Sequence, residues 1–501
     1  MKKKVVIIGA GIAGLSTASY LHKSGFDTEI YEMHDLPGGL CTSWERKKYT
    51  IDGCIHWLIG TKNGSSLNKM WGELIDINSL DFVYSDSYGT FVDAEGNLLN
   101  MFTDPDKLET ELMKLSPDDE KYIKQFCKLI RKFNNFEPPA DSTPEIMKFS
   151  EKISLLFKML RYLPDLSKYM KISLEEFASN FRNPLIRFAF ANLFVPEMSL
   201  IFVIINFAWF NQTNAAYPIG GSLNFSRLLE KNYLAEGGKI FYKSKVTKIL
   251  TEQDGKNHIA KGILLDDGRE IFADIVISAA DLHYTLINML DDKFTGSKWR
   301  NRFNNFTTFN SYIQVSLGIN RKFDVKYSKM LFQTKDTFRI NDNEILDTIN
   351  FRIHDFDPTL TPEGKTLITT LIEVSDYKYW TDLRLKNIKE YRRKKKEIAD
   401  FFITEAERHI GDFRNDIEML DISTPATVIR YTGNWKGSYE GWVLNKQTGF
   451  NSFERELTGL KNFYLAGQWV EPGGGLPTAL MSGRNLTQII CKKNGLNFMQ
   501  K

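Results

Sequence analysis

The chain has 501 residues, 65 Lys and Arg against 62 Asp and Glu, and a formal net charge of +3. That balance excludes a nucleic-acid partner held by bulk charge, and the length allows two domains with large cores. The four cysteines, Cys41, Cys54, Cys127 and Cys491, form no CxxC pair, so neither zinc nor an iron–sulfur cluster is indicated and no metal is assigned.

Residues 4–8 read as a buried parallel strand. Gly9-Ala10-Gly11-Ile12-Ala13-Gly14 follows. Gly9 permits a tight turn, Gly11 lets backbone approach a pyrophosphate, and Gly14 lets the next helix pack against the strand. A helix over 13–24 aims its N-terminal N–H groups at the phosphates. Gly25 stops it, and residues 27–31 form the second strand. Glu32 then stands where a carboxylate can accept both hydroxyls of an adenosine ribose. Its charge also disfavours a 2′-phosphate. Strand, glycines, helix, strand and acid in this order indicate a bound dinucleotide.

A second glycine turn, Gly38-Gly39, follows at once and suits a cofactor that continues past the pyrophosphate. Near the far end, Phe463-Tyr464-Leu465-Ala466-Gly467-Gln468 reads as a strand ending in a turn. Gly473-Gly474-Gly475-Leu476-Pro477-Thr478-Ala479 then opens a helix whose N-terminus can face the electron-rich edge of a flavin. Two glycine clusters at opposite chain ends fit FAD better than NAD.

Between these ends the chain is interleaved. Residues 1–70, 215–285 and 455–501 are expected to build an FAD-binding domain. Residues 71–214 and 286–454 are expected to build a substrate domain, the first stretch as a charge-rich helical insertion. Strand-like runs over 311–317 and 366–374 suggest a largely antiparallel sheet, and a helix is expected over 386–410. The apolar run 198–210 falls short of the ~20 residues needed to span a membrane. Residues 151–171 alternate leucines and isoleucines with Lys and Arg, a pattern that fits either membrane docking or a core-facing helix. The basic run 386–396 reads as a solvated face. The scattered thiols suggest a reducing compartment. The lysine-led apolar start mimics a secretory signal, but the glycine motif lies inside it. A cytoplasmic location is expected, with peripheral attachment to the inner face of the membrane as the variant. Oligomeric state is not legible.

The chain resembles the FAD-dependent phytoene desaturase superfamily, with its carotenoid isomerases and retinol saturases, and more widely the amine-oxidase type flavoproteins. Four blocks carry the resemblance. They are residues 5–39; Tyr217-Pro218-Ile219-Gly220-Gly221-Ser222 with Gly237-Gly238 and Val246-Thr247-Lys248-Ile249; Ala273 through Asp281; and Thr424-Pro425 onward into the C-terminal glycine motif. It implies an α/β fold with a Rossmann-like FAD-binding domain of the two-dinucleotide-binding type and an interleaved α+β substrate domain. It implies cofactor contacts at Gly9, Gly11, Ala13, Gly14, Glu32, Met33, Gly38, Gly39, Leu40, Val246, Gly467, Gln468, Gly475, Leu476, Pro477 and Ala479, with the Val246 backbone on the adenine. Two positions depart from many relatives, which have Arg where Leu40 stands and Asp where Gln468 stands.

The resemblance also brings Asp52-Gly53-Cys54-Ile55-His56-Trp57 back towards the flavin. His56 is then the candidate catalytic residue, with a backbone-bonded structural histidine as its alternative. Trp57, Phe202, Tyr439 and Trp442 are candidate substrate-lining residues; Tyr439 and Trp442 read equally as core. The favoured function is an FAD-dependent oxidoreductase that desaturates, saturates or isomerises C–C or C=C bonds of an apolar isoprenoid-like or other lipid substrate. An amine-oxidase type enzyme acting on a C–N bond and a non-catalytic polyene-binding flavoprotein are the alternatives. The 36 Phe fit either a large core or an aromatic-lined tunnel.

Overall fold

The computed structural model describes residues 2–139 and 142–499. Its organising element is a five-stranded parallel sheet in the order Lys239–Phe241, Asp27–Tyr31, Lys4–Ile8, Ile275–Ser278, Phe463–Leu465. Val5–Ile8 of the central strand, Ile275–Ser278 and Phe463–Leu465 are buried throughout, which is why they read as near-continuous apolar runs. Gly9, at φ +97°, makes the turn out of the first strand, and its N–H donates to the Tyr31 carbonyl at 2.8 Å. The helix Ile12–Lys23 follows, capped by Gly11. Gly25, at φ +96°, turns the chain into the second strand.

The C-terminal helix Gly475–Lys493 packs along this first helix. They meet tightly at Gly483, where a Cβ would lie 2.5 Å from Ser16 Oγ and 2.7 Å from the Thr17 N. Residues more than 450 positions apart are thereby brought to one end of the sheet.

The second sheet has seven strands, in the order Ile417–Ser423, Ser311–Ile319, Thr366–Val374, Ile345–Ile353, Lys329–Arg339, Ser87–Val92, Leu98–Phe102. All neighbours are antiparallel except Lys329–Arg339 with Ser87–Val92. The helical, charge-rich insertion expected over 71–214 also contains strands. Ser87–Val92 and Leu98–Phe102 extend this sheet because their β-branched and aromatic side chains pack against the helices beyond it. The helix Ile388–Ile410 covers the sheet with Ile398, Phe402, Ile403 and Ala406 and turns Lys389, Arg392, Arg393 and Lys396 to solvent. Lys394 is half-buried and Lys395 lines a large cavity, so the basic run 386–396 is only in part the solvated face expected. Asn387 fixes its start by accepting from the Glu390 N–H at 3.1 Å.

The remaining insertion is a bundle whose core holds Phe126, Phe133, Phe177, Phe181, Phe190 and Phe207. The apolar run forms the helix Leu200–Asn211, which is buried through most of its length. Much of the phenylalanine surplus is therefore core packing. Among the described residues no helix is long and apolar enough to cross a membrane.

Candidate active site

One cavity of about 1330 Å³ runs from the glycine turns of the parallel sheet to the face of the second sheet. Gly9, Gly11, Ala13, Glu32, Met33, Gly38, Gly39, Leu40, Val246, Gly467, Gln468, Gly475, Leu476, Pro477 and Ala479 all line it, and so do His56, Trp57, Phe202 and Tyr439.

The fit of a dinucleotide can be read from the cradle. The helices Ile12–Lys23 and Gly475–Lys493 both begin at this cavity. Neither has a side-chain cap or an acidic residue in its first turn. Their first N–H groups and positive dipole ends are therefore open to an anion. The two glycine turns are stitched together by the Gly38 N–H, which donates to the Ala10 carbonyl at 2.8 Å. A Cβ on Gly467 would touch the Ala13 Cβ at 3.4 Å, so the terminal motifs meet directly. The residues present fit FAD.

Glu32 is pinned before any ligand arrives. Its Oε2 accepts from the Ala10 N–H at 2.7 Å and its Oε1 from the His34 N–H at 2.8 Å. A carboxylate has about four acceptor positions, so both oxygens can still take a ribose hydroxyl, now with fixed direction. Met33, Lys245, Val246, Ala280 and Tyr284 line the cavity beside it.

Two expected site residues stand elsewhere. Gly14 does not line the cavity. A Cβ there would be 2.0 Å from the Gly9 carbonyl oxygen, so its role is to let helix and turn meet. Trp442 is wholly buried away from the lumen: its Nε1 donates to the Trp469 carbonyl at 3.1 Å and it packs with Trp435, Trp469, Phe303 and Phe306. It is a core residue, because that indole N–H finds its partner only by turning inward. Tyr439, three residues earlier, faces the lumen.

Asp52 explains how the His56 segment reaches the site. The buried carboxylate accepts from the Tyr217 hydroxyl at 3.0 Å, from the Ser222 N–H at 3.3 Å and from the Ser222 hydroxyl. This ties residues 52–57 to the Gly220-Gly221-Ser222 turn. His56 opens onto the lumen and is exposed there. Burial, then the cations of Arg352 and Lys329, push its imidazole down to about 3. It is therefore neutral at physiological pH and holds no imidazolium proton to donate.

Several lumen residues were not anticipated. Lys329 lies over the rings of Tyr88 and Trp57, and burial, then Arg352, lower its ammonium to about 7. Glu373 accepts from the Tyr439 hydroxyl at 3.0 Å. Burial, then the neighbouring Glu373, push Glu440 up to about 7. Glu373 had a legible signal, as the one charge in the apolar strand Thr366–Val374. Lys329 had none.

The family model for flavin-containing amine oxidoreductases matches residues 12–491. Prolycopene isomerase 1 of an Oncidium hybrid cultivar is 25% identical, over 95% of this chain and 82% of its own length. The 4,4′-diapophytoene desaturase of Methylomonas sp is 25% identical, over 99% of this chain and 96% of its own. Among solved structures, an oxidoreductase from Methanosarcina mazei superposes with a TM-score of 0.60 at 18% identity, covering 97% of this chain and all of its own. The chain belongs to the flavin-containing amine oxidoreductase family, in the superfamily of carotenoid desaturases and isomerases, and is an FAD-dependent oxidoreductase.

Proposed function

We propose that this oxidoreductase acts on C–C or C=C bonds of an elongated, apolar, isoprenoid-like molecule. The observation that carries the reading is the wall beyond the glycine cradle. Leu193, Phe194, Val195 and Phe202 from the insertion face Met330, Leu331, Leu371 and Ile372 from the second sheet. A wall of this kind takes its ligand by desolvation of apolar surface. FAD, when bound, supplies the acceptor or donor of electrons. The protein's own part is to hold the chain against that wall, exclude water and fix which bond is presented. His56, being neutral, contributes contact or a hydrogen bond.

A second reading, oxidation of a C–N bond, is favoured by one observation: Glu373, Glu440 and Tyr439 form a carboxyl–phenol cluster on the same lumen, where an ammonium could sit. Anaerobic mixing of the FAD-loaded protein with polyenes and with short amines separates the two. Flavin absorbance should respond to polyenes, by bleaching or by a ligand-induced shift, and stay unchanged with amines. Rapid bleaching by a short amine, with no response to any polyene, would reverse the assignment.

The same reading includes attachment to an anionic bilayer, from which such a substrate would be drawn. The helix Phe149–Met159 buries none of its residues; Phe149 is 79%, Leu156 51% and Phe157 68% exposed. Lys148, Lys152, Lys158 and Arg161 are exposed around them. Apolar side chains at the headgroup boundary, ringed by cations, are what a peripheral helix needs. Phe149→Ser with Phe157→Ser should abolish co-sedimentation with phosphatidylglycerol vesicles. Folded stability should hold within about 1 kcal/mol, because neither ring packs in the core. Undiminished sedimentation of the double variant would refute attachment through this helix.

A further inference from the structure

A pure hydrocarbon gives a lumen cation nothing to bind, yet Lys329 stands in the wall of this cavity. Its Nζ is 3.9 Å from the centre of the Tyr88 ring and 5.7 Å from that of Trp57. Phe194 and Phe210 pack edge-on or tilted against both rings. The stem is seated on Gly89, where a Cβ would come within 3.6 Å of Lys329 Cγ and Cδ. Among the described residues no carboxylate pairs with this ammonium and no acceptor takes its protons.

Its cross-strand partner makes the shortage of anions worse. Lys329 stands directly opposite Arg352 in the register of their two strands, and like charges so placed repel. Among the described residues Arg352 forms no salt bridge; the buried Asp52 carboxylate, already bonded to Tyr217 and Ser222, attracts it without pairing. It lies over the rings of Tyr217 and Phe356, and its Nη2 donates to the His56 carbonyl at 3.4 Å. Two cations and a neutral imidazole thus share one wall, and among the described residues neither cation forms an ion pair with a carboxylate; the buried Asp52 attracts Arg352 only at longer range. Buried charges are stable when paired, and Lys329 lines the lumen, from which a partner can reach it.

We propose that the ligand of this cavity is an elongated apolar molecule ending in a carboxylate, and that Lys329 is the cation that selects it. The inference rests on the function proposed above and narrows its substrate to the acids of that class. A carboxylate at Lys329 restores the fully charged ammonium, relieves the repulsion from Arg352, and leaves the hydrocarbon tail on the wall of Phe194, Phe202 and Leu331. An amine terminus is repelled from the same place.

The test compares a C20 polyprenyl carboxylic acid with the hydrocarbon of the same chain, titrated into the FAD-loaded protein and read by flavin difference absorbance. The wild type should bind the acid about tenfold or more tighter, as a charge-assisted hydrogen bond in an apolar site implies. Lys329→Met, which keeps the stem, should erase that preference and leave the hydrocarbon affinity unchanged. Lys329→Arg should retain a preference and guards against a variant that fails to fold. Equal binding of acid and hydrocarbon by the wild type, or a preference that survives in Lys329→Met, overturns the inference alone. Absence of binding by both ligands overturns the apolar-substrate function and the inference with it.

Discussion

Gly11→Val should abolish FAD binding and leave the fold standing. Gly11 sits at φ −67° and ψ 173°, an extended conformation open to any residue, so valine adds no backbone strain. A Cβ there meets only the Gly38 carbonyl oxygen, at 3.8 Å. The isopropyl group therefore projects into the lumen, over the first N–H groups of the helix Ile12–Lys23, where the pyrophosphate must lie. Each charge-assisted hydrogen bond lost there is worth about 1.5–3 kcal/mol. Losing two or more should weaken FAD by at least about a hundredfold. Flavin-to-protein absorbance ratios and circular dichroism check the two halves of the expectation. A variant with full flavin occupancy would place the cofactor elsewhere.

Gly14→Val, three residues on, should do the opposite and damage the fold itself. A Cβ at Gly14 would stand 2.0 Å from the Gly9 carbonyl oxygen and 3.1 Å from its carbon. Both are backbone atoms of the tight turn, so no rotamer change relieves the clash. The helix must lift off the sheet, and it carries the contact between Gly483 and Ser16 with it. Overpacking at a backbone-to-backbone contact costs about 3 kcal/mol or more. Urea unfolding of the FAD-free proteins, wild type against variant, measures this without the cofactor's own stabilisation. An unchanged midpoint would show that the helix has room the geometry denies it. The pair of variants separates a glycine required by the ligand from a glycine required by packing.

What the sequence reveals follows from which physical constraints are local. The first sheet strands, Glu32 and both glycine turns were legible because each needs a special residue at a fixed offset. Gly9 and Gly467 adopt positive φ, Gly11 leaves space, and residues 5–8 are apolar because both faces are covered. Elements defined by distant partners were harder. Ser87–Val92 is a strand because Lys329–Arg339 lies beside it, some 240 residues on, and its charge-rich surroundings concealed it. Trp442 and Tyr439 share one short motif, yet one turns inward to the Trp469 carbonyl and the other faces the lumen. No periodicity distinguishes them. Lys329, Glu373 and Glu440 escaped notice because charged residues are ordinarily read as solvent-facing. Even His56, singled out for its chemistry, takes its neutral state first from burial and then from Arg352 and Lys329, both remote in sequence.

The most direct measurement of the central claim, that this cavity takes a long apolar chain against its flavin, is affinity as a function of ligand length. FAD-loaded protein is titrated with polyprenyl compounds that differ by one isoprene unit and share one terminus, with flavin difference absorbance as the readout. Each unit adds buried apolar surface at about 25 cal/mol per Å², so affinity should rise by about tenfold or more per unit until the cavity is filled, and then level off. An affinity independent of chain length, or a short polar amine that binds more tightly than any member of the series, would contradict the account.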